Sequence, residues 1–131
     1  MVVHGLDQAR AALRPGRPVT LLSARGAAAY AGCGWWRALV AATLADAPGV
    51  DVCDILDCAD APGYAMAALR VGQRTLILDA ACPAFAAVAA AAATLCARVL
   101  AERPEALDLA DRGAERRLVA WLQRDNAKRL G

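Results

Sequence analysis

The chain has 131 residues, 59% of them apolar, a length that makes one domain and buries about two thirds of the unfolded surface in a real core. Alanine supplies 35 of those residues, which favours helices packed close on a sheet and leaves leucine, valine and tryptophan to hold the layers together. The formal charge of +2 hides an asymmetry, with nine basic against eleven acidic side chains over residues 1–111 and six against two over 112–131, so any basic partner surface is confined to the tail.

From the N-terminus, "HGLDQARAALRPG" reads as a short helix with Leu6, Ala9 and Leu13 at helical spacing, stopped by Pro15 and Gly16. "PVTLLSA" is an apolar, β-branched run with the form of a strand buried on both faces. Residues 26–46 are helical in composition, but Gly32 and Gly34 would each cost about 1 kcal/mol inside a helix. The segment is therefore divided into a helical turn over Gly26–Ala31 and a helix over Gly34–Asp46. A turn at Pro48 and Gly49 leads to a second strand over Val50–Leu56. A helix follows, with Asp60 as its N-cap, Pro62 in its first turn and Gly72 as its stop. "RTLILDA" is the third strand, the alanine run from Pro83 to Glu102 its helix, and "EALDLA" the fourth strand. "RGAERRLVAWLQRDNAKRL" closes the chain as a basic amphipathic helix within residues 112–131, with Ala114, Leu118, Trp121 and Leu122 on one stripe.

Strands alternating with helices at this spacing predict a single α/β domain over residues 1–131, a mostly parallel sheet of about four strands sandwiched between helices. In such sheets ligands bind outside the carboxyl ends of the strands. Position alone then selects Ser23 and Arg25 after the first strand, Asp57, Cys58 and Asp60 after the second, and Asp79 and Cys82 after the third. Trp35 borders that edge or a partner surface, because adjacent helical residues point about 100° apart and Trp36 shares the core-facing stripe of Leu39 and Val40. Asp57, Asp60 and Asp79 suit either helix and loop capping or a divalent cation.

Other chemistry lacks its signature. "SARGAAAYAGCG" has neither GxGxxG nor GxxxxGK[ST]. Cys33, Cys53, Cys58, Cys82 and Cys96 include no CxxC pair, and no signal peptide precedes them, which predicts free thiols in a reducing cytoplasm, with no structural metal and no cofactor. Thiol catalysis at Cys58 or Cys82 would need a nearby cation or base, and His4, the lone imidazole, has no sequence neighbour to act with. The tail bases come without aromatic interleaving, so nucleic acid is not expected. Ala80–Ala97 is an uncharged stretch of membrane-helix length, but its alanine content and Pro83 assign it to a helix buried against the sheet.

The stretches "VTLLSARGAAAYAGCGWWRALVAA", "DILDCADAPGYAMAALRVGQR" and "PEALDLA" resemble a family of small bacterial α/β proteins of unknown function, over most of residues 4–110. The resemblance implies a compact bacterial domain and carries no activity, cofactor or site residue. "DAPGYAMAALRVG" is also loosely similar to the βα units of aldolase-type barrels, which need eight units and a Schiff-base lysine that this chain does not supply.

No catalytic constellation is complete in the sequence. The first expectation is therefore a non-catalytic protein-interaction module that self-associates as a homodimer through Leu118, Trp121 and Leu122, with a further protein partner of unknown identity. The alternative is a small-molecule or nucleotide-binding domain, with a divalent-cation-dependent enzyme as one form of it, that uses the aspartate-rich strand edge.

Overall fold

Three of the apolar runs bounded by proline or glycine become strands, and most of the alanine-rich stretches between become helices, in the computed structural model of the protein, which describes residues 1–130. Gly131, the last residue of the expected C-terminal helix, lies outside the described residues. In chain order the elements are α1 (Leu6–Leu13), β1 (Val19–Leu22), α2 (Ala27–Tyr30), α3 (Cys33–Asp46), β2 (Val52–Asp57), α4 (Pro62–Arg70), β3 (Thr75–Ile77), α5 (Phe85–Thr94), β4 (Arg98–Leu100) and α6 (Ala114–Leu130). The strands form one sheet in the order β1-β2-β3-β4, every neighbouring pair parallel. The chain is a single α/β domain.

Strands added in sequence order through right-handed crossovers place their helices on one face. The side chains agree. Leu21, Leu56, Leu76 and Leu78 share the large core cluster with Leu13, Trp36, Val40, Leu69 and Val88 from the helices. The alternate strand residues Leu22, Ile55 and Ile77 form a smaller cluster with Val2, Leu100 and Ala106 on the opposite face.

That second face is closed by the two ends of the chain. Residues 1–3 run beside β1, where Val3 N–H donates to the Leu22 carbonyl at 3.0 Å and Leu22 N–H to the Met1 carbonyl at 2.8 Å. Leu107–Leu109 runs beside Val2, whose N–H donates to the Leu107 carbonyl at 2.7 Å and whose carbonyl accepts Leu109 N–H at 3.0 Å. To get there from β4 the chain crosses the sheet through Ala101–Ala106 and lays Ala106 on the smaller cluster. α6 completes the closure. Its Leu118 and Leu122 are buried in the large cluster, and Trp121, Asp125 and Arg129 line a cavity of about 200 Å³ with Thr20, Leu22, Ile55 and Leu100.

The fourth strand departs from expectation. "EALDLA" contributes only a bridge between Asp108 and Val2, and the fourth sheet strand is Arg98–Leu100, inside the stretch assigned to helix. α5 stops at Thr94 because Cys96 adopts a left-handed conformation, φ +54°. Ala97 N–H then donates to the Ala92 carbonyl at 2.9 Å and Cys96 N–H to the Ala93 carbonyl at 3.2 Å, the paired bonds of a Schellman stop. Shortened to ten residues, α5 leaves the chain with no helix, among the described residues, long and apolar enough to cross a membrane.

The tryptophan pair divides as the 100° rotation requires. Trp36 is fully buried and Trp35 is 36% exposed, their rings 6.0 Å apart. Trp36 is more than filler, since its indole Nε1–H donates to Asp54 Oδ2 at 2.9 Å. Gln73 Nε2 also donates to that oxygen at 2.9 Å and Arg37 Nη1 at 3.3 Å, so the helix layer rests on a satisfied polar cluster at β2.

Candidate functional site

β2 ends at Asp57, and the way its carboxylate is held organises the carboxyl edge of the sheet. Asp57 is 1% exposed. A charge so deeply buried must be hydrogen-bonded and paired. Oδ1 accepts Gly26 N–H at 3.1 Å and Ala59 N–H at 2.8 Å, which ties the loop after β1 to the loop after β2. Oδ2 accepts a 2.5 Å hydrogen bond from Arg103 Nη1, an ion pair across the cleft from the crossing segment. Arg103 Nη1 and Nη2 each donate to the Ser23 carbonyl at 3.3 Å. The Ser23 hydroxyl accepts Asp57 N–H at 2.9 Å and donates to the Ala24 carbonyl, so it extends the β1–β2 ladder.

Around this core lies a cleft of about 540 Å³, within the range of small-molecule sites. Every strand end contributes to its wall. Arg25 follows β1; Ala59 and Asp60 follow β2; Asp79 follows β3; and Ala101, Glu102 and Arg103 follow β4. Ala59 takes a left-handed conformation, φ +49°, which turns its carbonyl to accept Asp79 N–H at 2.7 Å and locks the second loop to the third. Among the described residues Arg25, Asp60 and Glu102 have no hydrogen-bond or ion-pair partner, and Asp79 Oδ1 accepts only Ala81 N–H at 2.9 Å. With Asp57 and Arg103 neutralising each other, the wall presents one guanidinium against three carboxylates.

Of the residues selected from sequence, Arg25, Asp57, Asp60 and Asp79 meet in the cleft. The others do not line it. Ser23 is buried beneath it as a structural hydroxyl. Cys58 points into the main core, where burial first, then Asp57 and Cys33, push its thiol up to about 12. A thiol buried and held protonated in this way is placed as a core side chain, without the nearby cation or base a nucleophile needs. Cys82 is buried below the loop before α5, its N–H bonded to the Asp79 carbonyl at 3.0 Å. Trp35 stands on the outer surface of α3.

Two expectations and one alternative reading need correction. Asp60 does not cap α4, whose N-cap is Ala61 with no side-chain bond. Asp57, Asp60 and Asp79 do not form a cation site, and among the described residues no three acidic, thiol or imidazole groups are placed to hold a metal; the oxygens of Asp57 are already taken by Arg103 and two amides. Leu118 and Leu122 are covered by the chain's own core, so only the half-buried Trp121, with Arg124 stacked at 4.5 Å, retains exposed surface on that stripe. Sequence reasoning missed Glu102 and Arg103, placed within or just beyond an expected helix. It also missed that His4 Nε2–H donates to Asp108 Oδ1 at 2.8 Å, across 104 residues.

The fold and the cleft together define an α/β domain with a charged site at the carboxyl edge of a parallel sheet. No protein-family model matches the chain, and no curated protein matches it.

Proposed function

We propose that the protein is a small-molecule-binding domain whose ligand is a small polar cation, an amine or a guanidinium compound, held in the cleft at the carboxyl edge of the sheet. The observation that carries this reading is the charge balance of that 540 Å³ cleft, where one free guanidinium, Arg25, faces the carboxylates of Asp60, Asp79 and Glu102. The ion pair keeps Arg103 from serving an anion. An anion that recruited Arg103 would leave Asp57 buried without its counter-charge, a loss of about 3–5 kcal/mol. A cation meets no such cost. It pairs with carboxylates that have no counter-charge among the described residues, and Arg25 is available to a carboxylate or hydroxyl elsewhere on the same ligand.

Melting curves with putrescine and with succinate, similar in length and opposite in charge, test the reading. At ten times its Kd, putrescine stabilises the fold by ~1.4 kcal/mol, a rise of about 5 °C for a domain of this size, while succinate gives none. The paired substitution Asp60→Asn and Glu102→Gln reduces the putrescine effect without lowering the melting temperature of the free protein. Equal responses to the two compounds, or none to either, defeat the reading.

A further inference from the structure

We propose that Arg103 is an internal plug, its guanidinium occupying a seat that accepts the guanidinium group of a ligand when the crossing segment moves aside. The inference rests on the cation reading of the cleft and narrows its ligand to guanidinium compounds.

The seat exists independently of its occupant. Asp57 Oδ1 is fixed by the amides of Gly26 and Ala59, and Ser23 is fixed by its N–H on the Ile55 carbonyl and its hydroxyl on Asp57 N–H, which leaves its carbonyl outside the ladder, so Oδ2 and that carbonyl are presented by the sheet and its first two loops. Together they offer two acceptors to a planar donor, and Arg103 uses them so, through Nη1 on both and Nη2 on the carbonyl. An ammonium, a compact point charge without that fork, matches such a pair less well. Because Asp57 is 1% exposed, an empty seat leaves a buried carboxylate without its counter-charge, at a cost to stability.

The plug is held differently from the seat. Among the described residues no backbone group of Ala101–Ala106 makes a backbone hydrogen bond, and on the cleft side the segment is tied to the sheet by the Arg103 side chain. Farther along, Glu105 pairs with Lys128 at 3.2 Å and Asp108 is anchored to His4. Release of Arg103 therefore frees the segment at the cleft while its far end stays attached. The released guanidinium has Asp60, Asp79 and Glu102 in the same cleft to pair with. A ligand guanidinium on Asp57 and displacement of Arg103 are then one exchange of like for like, in which the buried carboxylate is never left bare.

Titration calorimetry with methylguanidinium on the wild-type chain and on Arg103→Gln tests the exchange. Competition requires that Arg103→Gln bind at least tenfold more tightly than wild type, and that Asp57→Asn in the same background abolish binding. Binding unchanged or weakened in Arg103→Gln, or absent from both proteins, overturns the proposal. Should Arg103→Gln unfold alone, millimolar methylguanidinium must restore its melting transition where methylammonium does not; failure of that rescue also overturns it. Binding to Arg103→Gln alone would keep the seat and remove the cation reading of the wild-type cleft. A wild-type putrescine response, with no gain in methylguanidinium affinity on removing Arg103, would do the reverse.

Discussion

Trp36 and Trp35 occupy consecutive positions on α3 and differ in almost everything else, since one is fully buried with its Nε1–H on Asp54 and the other stands 36% exposed with no side-chain hydrogen bond among the described residues. Trp36→Ala is expected to cost about 3–5 kcal/mol as a core truncation. Trp36→Phe, which keeps a ring and loses the donor to a charged acceptor, is expected to cost about 2 kcal/mol. Trp35→Ala should stay within ~1 kcal/mol of wild type in the same urea melts; equal losses at both positions would contradict the assignment. Cys58 shows the same dependence on environment. Its folded pKa of about 12 lies above the ordinary 9.0, so keeping the thiol protonated stabilises the fold fully below pH 9, and that contribution is lost as pH rises from 9 through 12. Iodoacetamide at pH 8 should label the exposed Cys53 and Cys96 in the native protein and reach Cys58 only in denaturant. Labelling of Cys58 at the native rate of Cys53 would place it outside the core.

At the scale of elements, most strands and helices were legible because proline and glycine punctuate them, as Pro18, Pro48, Gly49, Pro62 and Gly72 do. The end of α5 was not. Its stop is a left-handed cysteine, and without glycine at that position the alanine run appears continuous through Glu102. Restoring the residue type the geometry favours supplies a test, for Cys96→Gly is expected to raise stability by about 0.5–1 kcal/mol, the left-handed penalty relieved less the added chain entropy. Leu95→Gly, one residue earlier at ordinary φ −103°, should lower it. Loss of stability in Cys96→Gly would contradict the Schellman assignment. The same concealed stop kept Arg103 out of the site as read from sequence. Asp57 could be placed at a strand end by its spacing, but its counter-charge lies 46 residues away on a segment whose path depends on where β4 ends. A strand-end aspartate announces the need for a partner without saying which of fourteen arginines meets it.

For the whole molecule, the chain after β4 must travel from one edge of the sheet to the other, and that crossing both covers the second face and builds one wall of the cleft. Stability and the site are thereby coupled through Arg103. Arg103→Ala is expected to cost about 3–5 kcal/mol because it strands a buried carboxylate, and Asp57→Ala with Arg103→Ala should cost less than the sum of the two single changes. Additive losses in denaturant melts would show that the pair does not act as a unit. The cation site is tested directly by titration of the isotopically labelled wild-type chain with putrescine, followed amide by amide by NMR. Saturable shifts at Arg25, Ala59, Asp60, Asp79, Glu102 and Arg103, absent with succinate, are the result expected of a cation site at the carboxyl edge. Shifts confined to the exposed aromatic positions Tyr30, Trp35 and Tyr64, or no saturable shift, would contradict it.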